Sequence, residues 1–200
     1  MKKLLSIALI ATTLWSCGSS DEQKQPVAND APLAQSANSD AFNQQFETLL
    51  TSYYSLSEAL VNWDSTKANT HAAALVQAAD GIAYAELKAD SMIVNTAKSL
   101  GSTVAAEAKA IAAESGLENK RRSFYTLSEN LYNLIRTVRY DKAVVYHMNC
   151  PMAFNDEEEA FWISKTADVV NPYLGTLHPR YKATMLNCGN VADSIDFRAK

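Results

Sequence analysis

Leu117-Glu118-Asn119-Lys120-Arg121-Arg122-Ser123-Phe124-Tyr125-Thr126-Leu127-Ser128-Glu129-Asn130-Leu131-Tyr132-Asn133-Leu134-Ile135-Arg136-Thr137-Val138 decides the fold class. Leu117, Phe124, Leu127, Leu131, Leu134 and Val138 recur at near-heptad spacing, and Lys120, Arg121, Glu129, Arg136 and Arg139 take the other faces. That is one amphipathic helix with a single apolar stripe, and such a stripe needs partners. The chain before it supplies three. Phe42, Phe46, Leu49, Tyr53, Leu56 and Leu60 follow Asp40 at spacings of three and four, and Asp64-Ser65 closes that segment and caps the next. From Thr66 to about Leu87 the stripe is Ala68, Ala72, Leu75, Ala79 and Ile82, with Gly81 as its weak point. A third segment runs from Asp90 or Ser91 to about Ala113, with Ile93, Ala97, Leu100, Val104, Ala108 and Ile111 inward and Ser115-Gly116 as the stop. Four such segments joined by short connections predict an all-α domain, an up-and-down four-helix bundle over residues 40–140. The apolar strand runs of a parallel α/β sheet are absent, and six glycines and five prolines speak against a β-rich or repetitive chain.

Residues 141–200 read as a small irregular cap belonging to the same domain. Ala143-Val144-Val145-Tyr146 is a short β-like run into a cysteine-proline turn. Asn155 suits a helix N-cap, with Asp156, Glu157, Glu158 and Glu159 in the first turn and Phe161, Trp162 and Ile163 on the buried side of a short helix. Asn171-Pro172-Tyr173-Leu174-Gly175 is turn material, and Thr176 to Lys182 is a polar loop.

The cap holds the chemistry. Cys150 precedes Met152 by two residues and Cys188 follows Met185 by three, so four sulfurs converge if the intervening chain folds back. Thiolate with thioether is the soft donor set that selects Cu(I). His147, three residues before Cys150, is the one histidine spaced to join them, whereas His71 and His178 have no such neighbours. The competing reading is a Cys150–Cys188 disulfide, which in the chain-entropy model stabilises a loop of this size by roughly 4 kcal/mol. The four consecutive acids 156–159 lack the alternating ligands of a calcium loop. No Cys-x-x-Cys, phosphate loop, nucleophile elbow or His-Glu-x-x-His pattern occurs, so the expected role is not enzymatic.

At the other end, Lys2 and Lys3 followed by the apolar run Leu4 to Leu14 form a secretory signal over residues 1–16. Leu14-Trp15-Ser16-Cys17 resembles a bacterial lipobox; that resemblance implies a diacylated Cys17, and Gly18 after it implies outer-membrane retention, with the membrane as partner through the lipid. Residues 17–39, rich in Ser, Asp, Gln, Asn and Ala, read as a flexible tether. Removing the signal takes away two lysines and no acid, so the formal charge moves from −4 to −6, and no basic block remains for nucleic acid.

Arg122-Ser123-Phe124, Leu127-Ser128, Val145-Tyr146, Cys150-Pro151-Met152-Ala153, Trp162-Ile163-Ser164, Asn171-Pro172-Tyr173-Leu174-Gly175 and Met185-Leu186-x-Cys188-Gly189, in that order, resemble a bacterial domain-of-unknown-function family. The family occurs as stand-alone exported proteins and at the C-terminus of heavy-metal (copper) efflux adaptor proteins. The resemblance spans about Phe42 to Ile195 and implies a helical domain that accompanies metal export, with efflux adaptor or pump components as partners. Cys150, Met152, Met185 and Cys188 coincide with the family's sulfur motifs; where several relatives carry a histidine beside the first cysteine, this chain has Asn149. The expectation is therefore a cell-envelope lipoprotein of the outer membrane that binds copper as buffer, chaperone or efflux accessory. Its alternative is a metal-free interaction domain stapled by Cys150 and Cys188.

Overall fold

The computed structural model describes residues 38–198; the expected signal segment, the expected lipid site at Cys17 and the expected tether through residue 37 lie outside the described residues. Among the described residues four helices come first: α1 (Asp40–Val61), α2 (Ser65–Asp80), α3 (Ser91–Ala113) and α4 (Leu117–Val138), with a 3₁₀ turn at Tyr84–Glu86. Each of the first three helices begins where a short polar side chain takes up a free N–H. Ser39 Oγ accepts from the Phe42 amide at 3.1 Å, Asp64 Oδ1 from Lys67 at 2.9 Å and Asp90 Oδ1 from Ile93 at 3.0 Å. Helix α2 stops short of Leu87, at Asp80 with Gly81 as its C-cap, so the weak point in its pattern is its end. Consecutive helices pack on one another.

Phe42, Phe46, Leu49, Tyr53, Leu56 and Leu60 of α1 are all fully buried, and so are Phe124, Leu127, Leu131 and Leu134 of α4. Each large apolar side chain so buried contributes about 1.5–3 kcal/mol. The stripe of α2 is buried alanine with Leu75, which lets α1 and α3 approach it closely. Ile93 and Leu100 of α3 and Leu117 of α4 are only half-buried at the edges of the core.

The all-α expectation is wrong for the last third of the chain. Residues 141–198 carry a three-stranded antiparallel sheet of order β2-β1-β3, with β1 at Val145–Phe154, β2 at Glu158–Ser164 and β3 at Asn190–Ile195. The short helix expected to start at Asn155 is a β-hairpin turn. Asn155 and Asp156 both have positive φ, 53° and 65°, and the Glu157 amide donates to Phe154 O at 3.1 Å. Those are the two central residues of a type I′ turn, whose twist matches the strands it joins, and Asn and Asp tolerate that conformation. The acids then serve as surface partners: Asp156 for Arg180 and Tyr181, Glu158 for Arg122 and Glu159 for Asn149. Between Cys150 and Phe154 the register against β2 shifts around Pro151, which has no N–H for a ladder.

Helices and sheet share one continuous core. The outer edge of β2 is closed by two hydroxyls. Tyr53 Oη accepts from the Ile163 amide at 3.0 Å, and Tyr173 donates its hydroxyl to Phe161 O. Ser128 Oγ donates to Phe124 O at 2.7 Å, which leaves it to accept from the Tyr53 hydroxyl at 2.7 Å. An unpaired strand edge thereby becomes a buried, satisfied contact with Tyr53 of α1 and with Tyr173.

A second correction concerns Lys120 and Arg121, placed on outer faces by the heptad pattern and found at 0% and 1% exposure. Lys120 Nζ donates to Asn69 Oδ1 at 2.7 Å, Ile111 O at 2.6 Å and Glu114 O. Arg121 donates to Leu60 O and to Pro172 O, both at 2.9 Å, with its guanidinium 4.0 Å from the centre of the Trp63 ring. Both cations thus meet carbonyls at helix C-termini, Lys120 at the end of α3 and Arg121 at the end of α1, where the helix dipole is negative.

Candidate functional site

Cys150 sits on the central strand, wholly buried, paired with Ala160 of β2. Cys188 arrives from the far side of a long connection, in a turn whose own amide donates to Met185 O at 3.0 Å. Both are free thiols, and their Sγ atoms lie 3.2 Å apart. Two of the expected ligands are therefore brought together across 38 positions of sequence. Cys188 is only partly buried, so the pair is reached from one side. Gly189 explains how the turn comes so close: a Cβ there would stand 2.3 Å from Asn149 O and 3.1 Å from the Trp162 ring.

Met152 and Met185 are both half-buried and packed against the same core cluster as Cys188. His147 is elsewhere. Register pairs it with Ile163 and Asn149 with Phe161, whereas Met148 faces Trp162 and Cys150 faces Ala160. Alternation along β1 thus sends His147 and Cys150 to opposite faces of the sheet. Its ring is stacked between Tyr132 at 3.9 Å and Phe161 at 4.8 Å, and its Nε2 lies 2.8 Å from Glu129 Oε1. The imidazole is a joint between sheet and α4, and Glu129, assigned to an outer face, is its partner.

The Cys188 thiol has its pKa pushed up to about 12, first by burial and then by the neighbouring Cys150 sulfur. A free thiolate is disfavoured there, the reverse of the low-pKa environment of a catalytic cysteine. In the reduced protein Cys188 is expected to react with iodoacetamide at pH 8 at least about 100-fold more slowly than an unhindered cysteine, with the rate still rising above pH 10. A pH–rate profile measured by mass spectrometry checks this; a plateau below pH 9 would contradict it.

Among the described residues no group of three or more His, Cys, Asp and Glu side chains could hold a metal ion. The donor set therefore does not suit zinc with four such ligands or a hard cation with many oxygens. What the structure brings together is two thiols, a soft donor pair.

No curated protein and no solved structure matches the chain. Residues 49–142, from the middle of α1 to just past α4, match the model of a family described as "Protein of unknown function (DUF3347)", so the helical part of the chain is similar to that family while the cysteine-bearing sheet lies beyond the matched residues.

Proposed function

We propose that the domain captures a soft metal ion, Cu(I) by its donor chemistry, between Cys150 and Cys188, with the thioethers of Met152 and Met185 as supplementary donors. The observation that supports the reading is the convergence of two thiols from distant segments at one partly open point, with no carboxylate or imidazole among the described residues assembled around them. A bound cation offsets the cost of ionising Cys188, which burial otherwise imposes. The role is non-catalytic: buffer, chaperone or accessory to a metal-efflux system, whose adaptor or pump components would be its partners. Cys17 would carry the lipid that holds the protein at the outer membrane, and no helix among the described residues is long and apolar enough to cross a membrane.

A second reading has its own support. Sulfurs at 3.2 Å need little movement to bond, and a Cys150–Cys188 disulfide would pin β1 to the connection before β3. Competition against a Cu(I) chelator under reducing conditions separates the two. Wild type should compete, Cys150→Ser and Cys188→Ser should lose at least about 100-fold in affinity, and Met152→Leu/Met185→Leu should lose severalfold at nearly constant packing. Equal curves for wild type and Cys188→Ser would leave only the staple.

A further inference from the structure

The sequence treats Asn171-Pro172-Tyr173-Leu174-Gly175 as a turn, yet Asn171 is fully buried and every polar atom it owns is in use. Its Oδ1 accepts from the Tyr173 amide at 2.8 Å and the Leu174 amide at 3.1 Å, which closes the turn on itself. Its backbone O accepts from the Gly175 amide at 3.0 Å. The remaining two groups leave the turn altogether. The Asn171 amide donates to Leu186 O at 2.8 Å, and Nδ2 donates to the carbonyl oxygen of Cys188 itself, also at 2.8 Å.

The turn that Asn171 closes is anchored to both the helices and the sheet. Arg121 of α4 holds Pro172 O, the Tyr173 ring is buried against Phe124, Phe154 and Trp162, and the Trp63 indole donates to Leu174 O at 2.9 Å. Cys188 is thus referenced to the helices through Asn171, whose side chain holds the Cys188 carbonyl itself and whose main chain holds Leu186, while Cys150 is referenced to the sheet through its strand. We propose that Asn171 is the positioning residue of the thiol pair: its Nδ2–H sets where Cys188 Sγ stands relative to Cys150 Sγ. The proposal rests on the reading of the pair as the working site, and it holds whether that pair takes a metal or forms a disulfide.

Asn171→Asp tests it selectively. A carboxyl keeps the acceptor for Tyr173 and Leu174 and loses the donor to Cys188 O. The readout is the equilibrium of the full-length protein with glutathione. Two thiols give up two electrons and two protons to glutathione disulfide, forming the Cys150–Cys188 bond and two glutathione thiols. A change that weakens the reduced and the oxidised fold equally leaves this constant untouched, so only a change in the relation of the two sulfurs moves it. Asn171→Asp is expected to lower the constant at least tenfold, about 30 mV for a two-electron couple. Asn171→Ser is the second variant if the aspartate does not fold: its hydroxyl still accepts from the Tyr173 amide, its reach to Cys188 O is gone, and the same direction of shift is expected. A folded variant of either kind with a lowered thermal midpoint and an unchanged constant overturns the proposal and leaves Asn171 a turn residue only. Cu(I) competition on the wild type is run separately, so absent copper binding would reject the metal reading without touching the glutathione result.

Discussion

Arg121→Met is expected to cost the fold about 3–5 kcal/mol, although the sequence pattern places Arg121 among surface charges. Methionine keeps most of the volume and all of the apolar stem, so the loss is polar. Leu60 O and Pro172 O each lose a charged donor in a buried setting, at about 1–3 kcal/mol apiece, and the guanidinium no longer lies on the Trp63 ring. Burial pushes the Arg121 pKa down to about 10, which still leaves it charged at neutral pH. Arg121→Lys should recover only part of the loss, because one ammonium does not span two carbonyls and an indole face. Urea unfolding of both variants beside Glu118→Ala, which is exposed, measures the difference. A midpoint for Arg121→Met within error of that control would mean that the two carbonyls find other donors.

The same residues show where sequence reading works and where it stops. The inner stripes of all four helices are visible in the chain because a helix facing one core repeats its apolar residues at a single period; Phe46, Leu75, Val104 and Leu131 are each buried as the spacing demands. Lys120 and Arg121 defeat that logic, since they are buried at helix ends rather than along the stripe. What makes their burial tolerable is a set of carbonyls at the ends of α1 and α3, whose positions exist only in three dimensions.

The sheet was hidden for a different reason. Strand β1 is covered on both faces, with His147 against Tyr132 and Cys150 near Cys188, so it shows no clean alternation of apolar and polar residues. Asn155 followed by acids fits a helix N-cap as well as a type I′ turn, because one property, a short polar side chain that tolerates unusual backbone, serves both. Length could have decided it. The apolar stretch Ala160–Ile163 is bounded closely by turn residues on each side, which is strand length and too short for a stable helix. Sulfur spacing made a convergence of Cys150 and Cys188 conditional on the intervening chain folding back, which only the fold supplies; that His147 stands on the other face required the strand.

Gly189→Ala is the substitution with the second large effect, expected at about 3–5 kcal/mol, and it ties the fold to the thiol pair. Gly189 has φ +135°, where an L residue is strained by about 1–3 kcal/mol. Its new methyl would also stand 2.3 Å from Asn149 O, and that atom has nowhere to go, because Asn149 lies on the central strand between Phe161 of β2 and Asn190 of β3. Overpacking of this kind adds about 1–3 kcal/mol. Relief is available only by moving the chain at Gly189 away from β1, which carries Cys188 Sγ away from Cys150 Sγ. The reduced variant should therefore unfold at lower urea and, where still folded, show a Cys188 that alkylates faster than in wild type. Gly116→Ala is the control, for no atom lies within 4 Å of the Cβ it would add and its φ of −104° is ordinary for any residue; its effect should stay within about 1 kcal/mol. Equal effects at the two glycines would show that the connection before β3 yields freely, and a connection that yields freely does not hold a thiol in place.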